Sequence, residues 1–125
     1  MTVGKAAATA NAYLNVFRAT TYTGVSVFVK LHTGDPGSAG TANASAVTTR
    51  NAITFAAPSA GSMALSSLAS YSMTASETIT HVSLWDASTA GNFLESAALT
   101  ASVPVINGST LTFSAFTLSF SPIAA

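Results

Sequence analysis

Four carboxylates and two histidines hold most of the acid–base capacity of this chain. The carboxylates are Asp35, Glu77, Asp86 and Glu95, and the histidines are His32 and His81. A glycoside hydrolase needs a pair of carboxylates facing each other across a sugar cleft. Asp35 lies in Gly34-Asp35-Pro36-Gly37 and Asp86 opens Asp86-Ala87-Ser88-Thr89-Ala90-Gly91, both turn sequences. A short carboxylate in such a place ordinarily bonds nearby backbone N–H groups. Glu77 and Glu95 are expected to face solvent. His32 has Asp35 three residues on, which is half of a metal site, but neither histidine has a second ligand at HxH or HExxH spacing. His32 is therefore expected to end a strand and bond the following turn, and His81 to be a partly buried strand residue. There is no G-x-S-x-G elbow, no P-loop and no G-x-G-x-x-G. The residues call for no enzyme activity, no metal and no cofactor. Tyr71, Trp85 and Phe93 are candidates for stacking on sugar rings, against the commoner role of such rings in cores and subunit contacts.

These residues must be positioned by short elements. Residues 5–18 place Ala6, Ala10, Leu14 and Phe17 near helical spacing, which predicts a short helix with a narrow apolar face, packed on a sheet or on a neighbour. Thr20 to Gly24 should end it. From Val25 the period becomes two: Val25, Val27, Val29 and Leu31 point one way, and Ser26, Phe28, Lys30 and His32 the other. Thr33 to Asn43 reads as a long exposed loop, and loops of that length are commonly functional or assembly contacts. Ala52–Ala57 is a second strand candidate. Met63–Met73 is ambiguous, with Leu65, Leu68 and Tyr71 at helical spacing, and a strand is favoured at Ala69–Met73. Thr78–Trp85 reads as a strand with both faces partly apolar, returning as Asn92–Leu99. Ser102–Ile106 reads as a further strand, kept to an edge or bulge by Pro104. Asn107-Gly108 is a hairpin signal. Thr110–Phe120 alternates with a phase break, which a bulge near Ser114-Ala115 would repair. The pattern predicts a mainly β fold, an antiparallel β-sandwich or small barrel with one short N-terminal helix. It forms a single β-rich domain over 1–125, with a helical arm at 1–24 and a β core at 25–125.

Composition narrows the function. Only 6% of the 125 residues are charged and the formal net charge is zero, against about 25% charged in ordinary soluble domains. Ala, Ser and Thr fill about half of the chain. A surface of small and hydroxylated side chains without net charge lacks the repulsion that keeps monomers apart, so a homo-oligomer is expected. Lys5, Arg18, Lys30 and Arg50 form no basic stripe, which argues against direct nucleic-acid binding. No apolar stretch reaches the length of a membrane span, so no membrane insertion is expected. Polar residues interrupt the Ala-rich start, so an uncleaved chain is expected rather than a secretory signal. Without cysteine, neither disulfides nor a thiolate metal site can stabilise it.

Leu31-His32-Thr33-Gly34-Asp35-Pro36-Gly37, with "NAITFAA" at Asn51–Ala57, "THVSLWDASTAGNFL" at Thr80–Leu94 and "LTAS" at Leu99–Ser102, resembles a family of small bacteriophage structural proteins. Its members are usually labelled tail-fibre or minor tail proteins and commonly carry an LHTxDPG stretch. They often have Ala where this chain has Gly34. The resemblance implies a virion protein with no active site. It points to a non-enzymatic tail-fibre or minor tail subunit in contact with other virion proteins, tail or capsid. A capsid decoration protein and a host-glycan-binding module are the alternatives. Candidate interaction residues are His32, Asp35, Pro36 and Gly37 in the loop, and Ala10, Leu14 and Phe17 on the helix.

Overall fold

The computed structural model describes residues 3–19 and 24–119. The chain runs β1 (Gly4–Lys5), α1 (Ala7–Val16), β2 (Val27–His32), β3 (Asn51–Phe55), β4 (Ser62–Leu68), β5 (Tyr71–Ser72), β6 (Glu77–Trp85), β7 (Phe93–Val105), β8 (Thr110–Leu111) and β9 (Thr117–Ser119). Seven strands form one antiparallel sheet in the order β1-β7-β6-β2-β3-β4-β9, and β5 pairs with β8 beside it. The sheet curls into a half-barrel, so the fold is mainly β with one short helix, as the alternation predicts. The arm read at 1–24 supplies β1, whose Gly4 and Lys5 pair with Ser96 and Glu95 of β7. The expected helix end at Thr20 to Gly24 falls mostly outside the described residues, as does Phe120.

The apolar period of β2 sets the inner face. Val29 and Leu31 are fully buried and pair across to Leu84 and Val82 of β6. Ile53, Ile79, Met73, Tyr71, Val105 and Leu111 complete the core. Burying each large aliphatic side chain of this kind is worth about 1.5–3 kcal/mol. An edge-to-face aromatic series packs against this core. Tyr71 meets Phe113 at 6.3 Å, Phe113 meets Phe116 at 6.3 Å, and Phe116 meets Phe55 at 6.1 Å between centroids.

Three expected elements differ. Of the ambiguous segment Met63–Met73, the part to Leu68 lies in strand β4 (Ser62–Leu68), and the strand favoured at Ala69–Met73 shrinks to the two residues of β5. The separate strands expected at Asn92–Leu99 and Ser102–Ile106 are one 13-residue strand, β7. Register shifts at Ile79/His81 and Leu84/Trp85 let it follow the curl of β6. Thr110–Phe120 is not one bulged strand: β8 pairs with β5 and β9 with β4. The break at 112–116 does bring Leu111, Phe113, Phe116 and Leu118 onto the core. Asn107-Gly108 turns the chain with a Ser109 N–H to Ile106 O bond of 3.0 Å, but the strands on either side belong to different sheets.

Candidate functional site

The outer face of β2 and β6 is covered as well as the inner one. Phe28 pairs with Trp85, Lys30 with Ser83 and His32 with His81. Over these lies the segment 33–44, pinned at its base by the His32–Ala44 bridge and by the Ser45 N–H to Leu31 O bond. Its chain ends lie close together, as in a compact Ω-type loop. The loop is exposed along much of its length, at Thr33, Ser38, Ala39 and 41–44, but it is not exposed throughout. Pro36 is fully buried and His32 has no exposed surface, because the loop folds onto the strand rather than away from it. Gly40 takes φ +70°, and a Cβ there would lie 2.4 Å from Cδ2 of Phe93. Only glycine lets the loop approach that ring. Gly34 likewise makes room for the side chain of Asn43, whose Nδ2 donates to Asp35 O at 2.9 Å.

Beneath the loop runs a directional hydrogen-bond chain. Trp85 Nε1–H donates to Ser83 Oγ at 2.8 Å. His32 Nδ1 lies 2.8 Å from Ala42 O, so it carries the proton. Nε2 is then an acceptor, and Ser83 Oγ–H donates to it at 2.7 Å. Burial holds the His32 imidazole below its ordinary pKa, and the nearby Lys30 charge acts the same way, against the carbonyl of Ala42. His32 is thus a neutral structural residue whose two nitrogens are both satisfied. It bonds the following turn as the sequence suggested, but from a buried position that no partner reaches. Of the other loop residues, Asp35 Oδ1 accepts the Gly37 N–H at 2.8 Å, and both residues remain partly exposed.

The three rings considered for sugar stacking do not gather. Tyr71 lies in the core, with its hydroxyl donating to Val29 O at 2.7 Å. Trp85 is 6% exposed, set against Phe93 at 5.6 Å between centroids and beneath the Arg50 guanidinium at 3.8 Å from its ring. With Tyr71 and Trp85 buried, neither presents a ring face to a sugar. Phe93 is half-buried under Gly40.

The carboxylates are engaged by partners within the chain. Asp86 accepts the Asn92 N–H at 2.6 Å and the Asn92 side chain at 2.8 Å, and these bonds hold its pKa below the ordinary value. Glu77 and Glu95, expected in solvent, are both engaged. Glu77 accepts from Ser45 Oγ and from the Ala46 N–H. Glu95 forms an ion pair of 2.6 Å with Lys5. Among the described residues no three of His, Asp or Glu gather around a point where a metal ion could sit.

The helix turns its apolar residues outward. Thr9 is the residue of α1 that is buried, while Leu14 is 63% and Phe17 90% exposed. Ala10 is half-buried. Two basic residues that the sequence presents only as scattered charges also share a surface. Lys30 and Arg50 line a polar recess with Thr48, Thr49, Ser88, Thr89 and Ala90. The signal was there in part, since Lys30 lies on the outward phase of β2, but its juxtaposition with Arg50 depends on the β2–β3 register.

The geometry is that of a small β-structured chain with two carboxylates capping turns, two engaged across the fold, and an apolar helix end in solvent. A family model described as "Podophage GP4 fiber I protein gp80" matches residues 4–121. The chain belongs to that family of podophage fibre proteins, and is a protein of the phage virion. No curated protein matches it.

Proposed function

We propose that this chain is a non-enzymatic tail-fibre or minor tail subunit that assembles with copies of itself and with other virion proteins through the outward face of α1. The observation that carries this reading is the exposure of Leu14, Val16 and Phe17 at one helix end, on a chain of zero formal net charge. Exposed apolar clusters on small proteins ordinarily mark contact surfaces. The free edge of β7 is a second contact surface. Beyond Ser96, where β1 stops, no described strand pairs with Ala97–Val105 on that side, and an open edge of uncharged residues is a template for pairing with another chain.

Light scattering coupled to size exclusion tests the proposal. The wild-type chain should elute as an oligomer, and Phe17→Ser should shift it toward monomer with little change in melting temperature, because Phe17 is 90% exposed. A monomeric wild type, or an unchanged assembly in Phe17→Ser and Leu14→Ser, would overturn the helix as the contact. Gold-labelled antibody on intact particles locates the subunit. Label confined to the tail supports the fibre reading, whereas label over the head would replace it with a decoration protein.

A further inference from the structure

We propose that the recess between the 48–50 and 86–90 segments is a binding site for a carboxylate-bearing saccharide. Two of the four basic side chains of the molecule line it. Lys30 follows Val29 in β2 and Arg50 immediately precedes Asn51, the first residue of β3, so continuing the antiparallel register of the Val29–Asn51 pair sets them side by side. Lys30 makes no hydrogen bond or ion pair within the described chain, and the positive field of Arg50 reaches it. Asp86 acts on Arg50 through its charge, while both of its oxygens accept hydrogen bonds from Asn92. Adjacent like charges cost stability, and an anion bound between them would reduce that cost.

Arg50 is held ready for such a ligand. Its guanidinium lies over the Trp85 ring, and Nη1 donates to the carbonyls of Ala87 and Ala90. The remaining N–H groups of the fork are left for a planar carboxylate, the geometry a guanidinium suits better than an ammonium. The rest of the lining decides between a bare anion and a sugar. Thr48, Thr49, Ser88 and Thr89 bring hydroxyls to the recess, each able to donate and to accept, as ring hydroxyls require. The recess measures about 570 Å³ and opens to solvent. That fits a sugar residue of a longer chain passing across it. Trp85 serves this site from below, by orienting Arg50, and does not stack on the ligand.

Calorimetric titration of the assembled protein with trigalacturonate, the neutral trisaccharide galactotriose and inorganic phosphate tests the proposal. Trigalacturonate should bind and galactotriose should not. Lys30→Gln should weaken the binding by about tenfold, the loss expected for one charge-assisted hydrogen bond. The same variant should raise the melting temperature of the unliganded protein, since it removes the repulsion from Arg50. Thr49→Ala should weaken trigalacturonate binding while leaving net charge unchanged. Absence of trigalacturonate binding, or binding that Lys30→Gln leaves intact, would overturn the site. Equal affinity for phosphate would reduce it to an anion site without sugar recognition. A change of oligomeric state in Lys30→Gln would reassign the two cations to an acidic side chain of a neighbouring subunit.

Discussion

Protonating His32 would place a second N–H where Ser83 already donates. The folded chain therefore resists the charged form, and burial keeps the imidazole pKa below its ordinary 6.5. The unfolded chain takes up the proton first as pH falls. Stability from this residue is complete above that ordinary value and is lost as pH drops through the lowered folded value. Urea midpoints measured from neutral pH downward should fall in that window, and His32→Gln should flatten the slope. Asp86 contributes in a separate window. Its folded pKa lies below the ordinary 3.8, so its contribution, held above that value, is lost only at still lower pH. Trp85→Ala should cost about 3–5 kcal/mol, the range for removing a large buried ring. Denaturant melts will read that loss directly, and an unchanged midpoint would show that the ring packs on nothing. Local partners made some residues legible in the sequence. Asp35 bonds the backbone two residues on and Asp86 bonds Asn92, and both were readable as turn caps. Glu77 and Glu95 find partners 32 and 90 residues away, and no local pattern could have announced them.

At the scale of elements, the loop 33–44 is held by one close approach. Gly40→Ala would drive a methyl group into the Phe93 ring at a backbone conformation that disfavours side chains. The expected cost is about 2 kcal/mol or more, with Trp85 fluorescence moving toward that of an exposed indole as the cover lifts. Gly34→Ala should cost less, since only the Asn43 side chain stands against it. The period of two in β2 and β6 was legible because it is uninterrupted. Strand β4 was not, and the cause is a single extra residue. Thr54 pairs with Ser67 and Phe55 with Leu65, which leaves Ser66 bulged outward. Leu65 and Leu68 then both turn toward the core although they stand three apart, and a bulged strand takes on the spacing of a helix. Strand β7 was divided at Ser102 for a related reason. Pro104 is tolerated within it because that side of β7 has no described neighbour, so the missing N–H interrupts no ladder.

At the scale of the molecule, the low charge, the outward helix end and the open edge of β7 all favour contact between subunits. Mixed assembly offers a further check: wild-type subunits combined with excess Phe17→Ser should form shorter or fewer oligomers, measured by analytical ultracentrifugation. Strand β6 stands apart from those contact regions. It is hydrogen-bonded to β2 along one side and to β7 along the other, with Val82, Ser83, Leu84 and Trp85 buried in succession across both faces. Its amides should therefore exchange with deuterium only when the whole subunit opens. Exchange at residues 82–85 becomes an internal clock for global unfolding, independent of assembly. Exchange in α1 and along Ala97–Val105 should slow when copies associate, so one deuterium experiment on free and assembled protein separates the strength of the fold from the strength of the fibre.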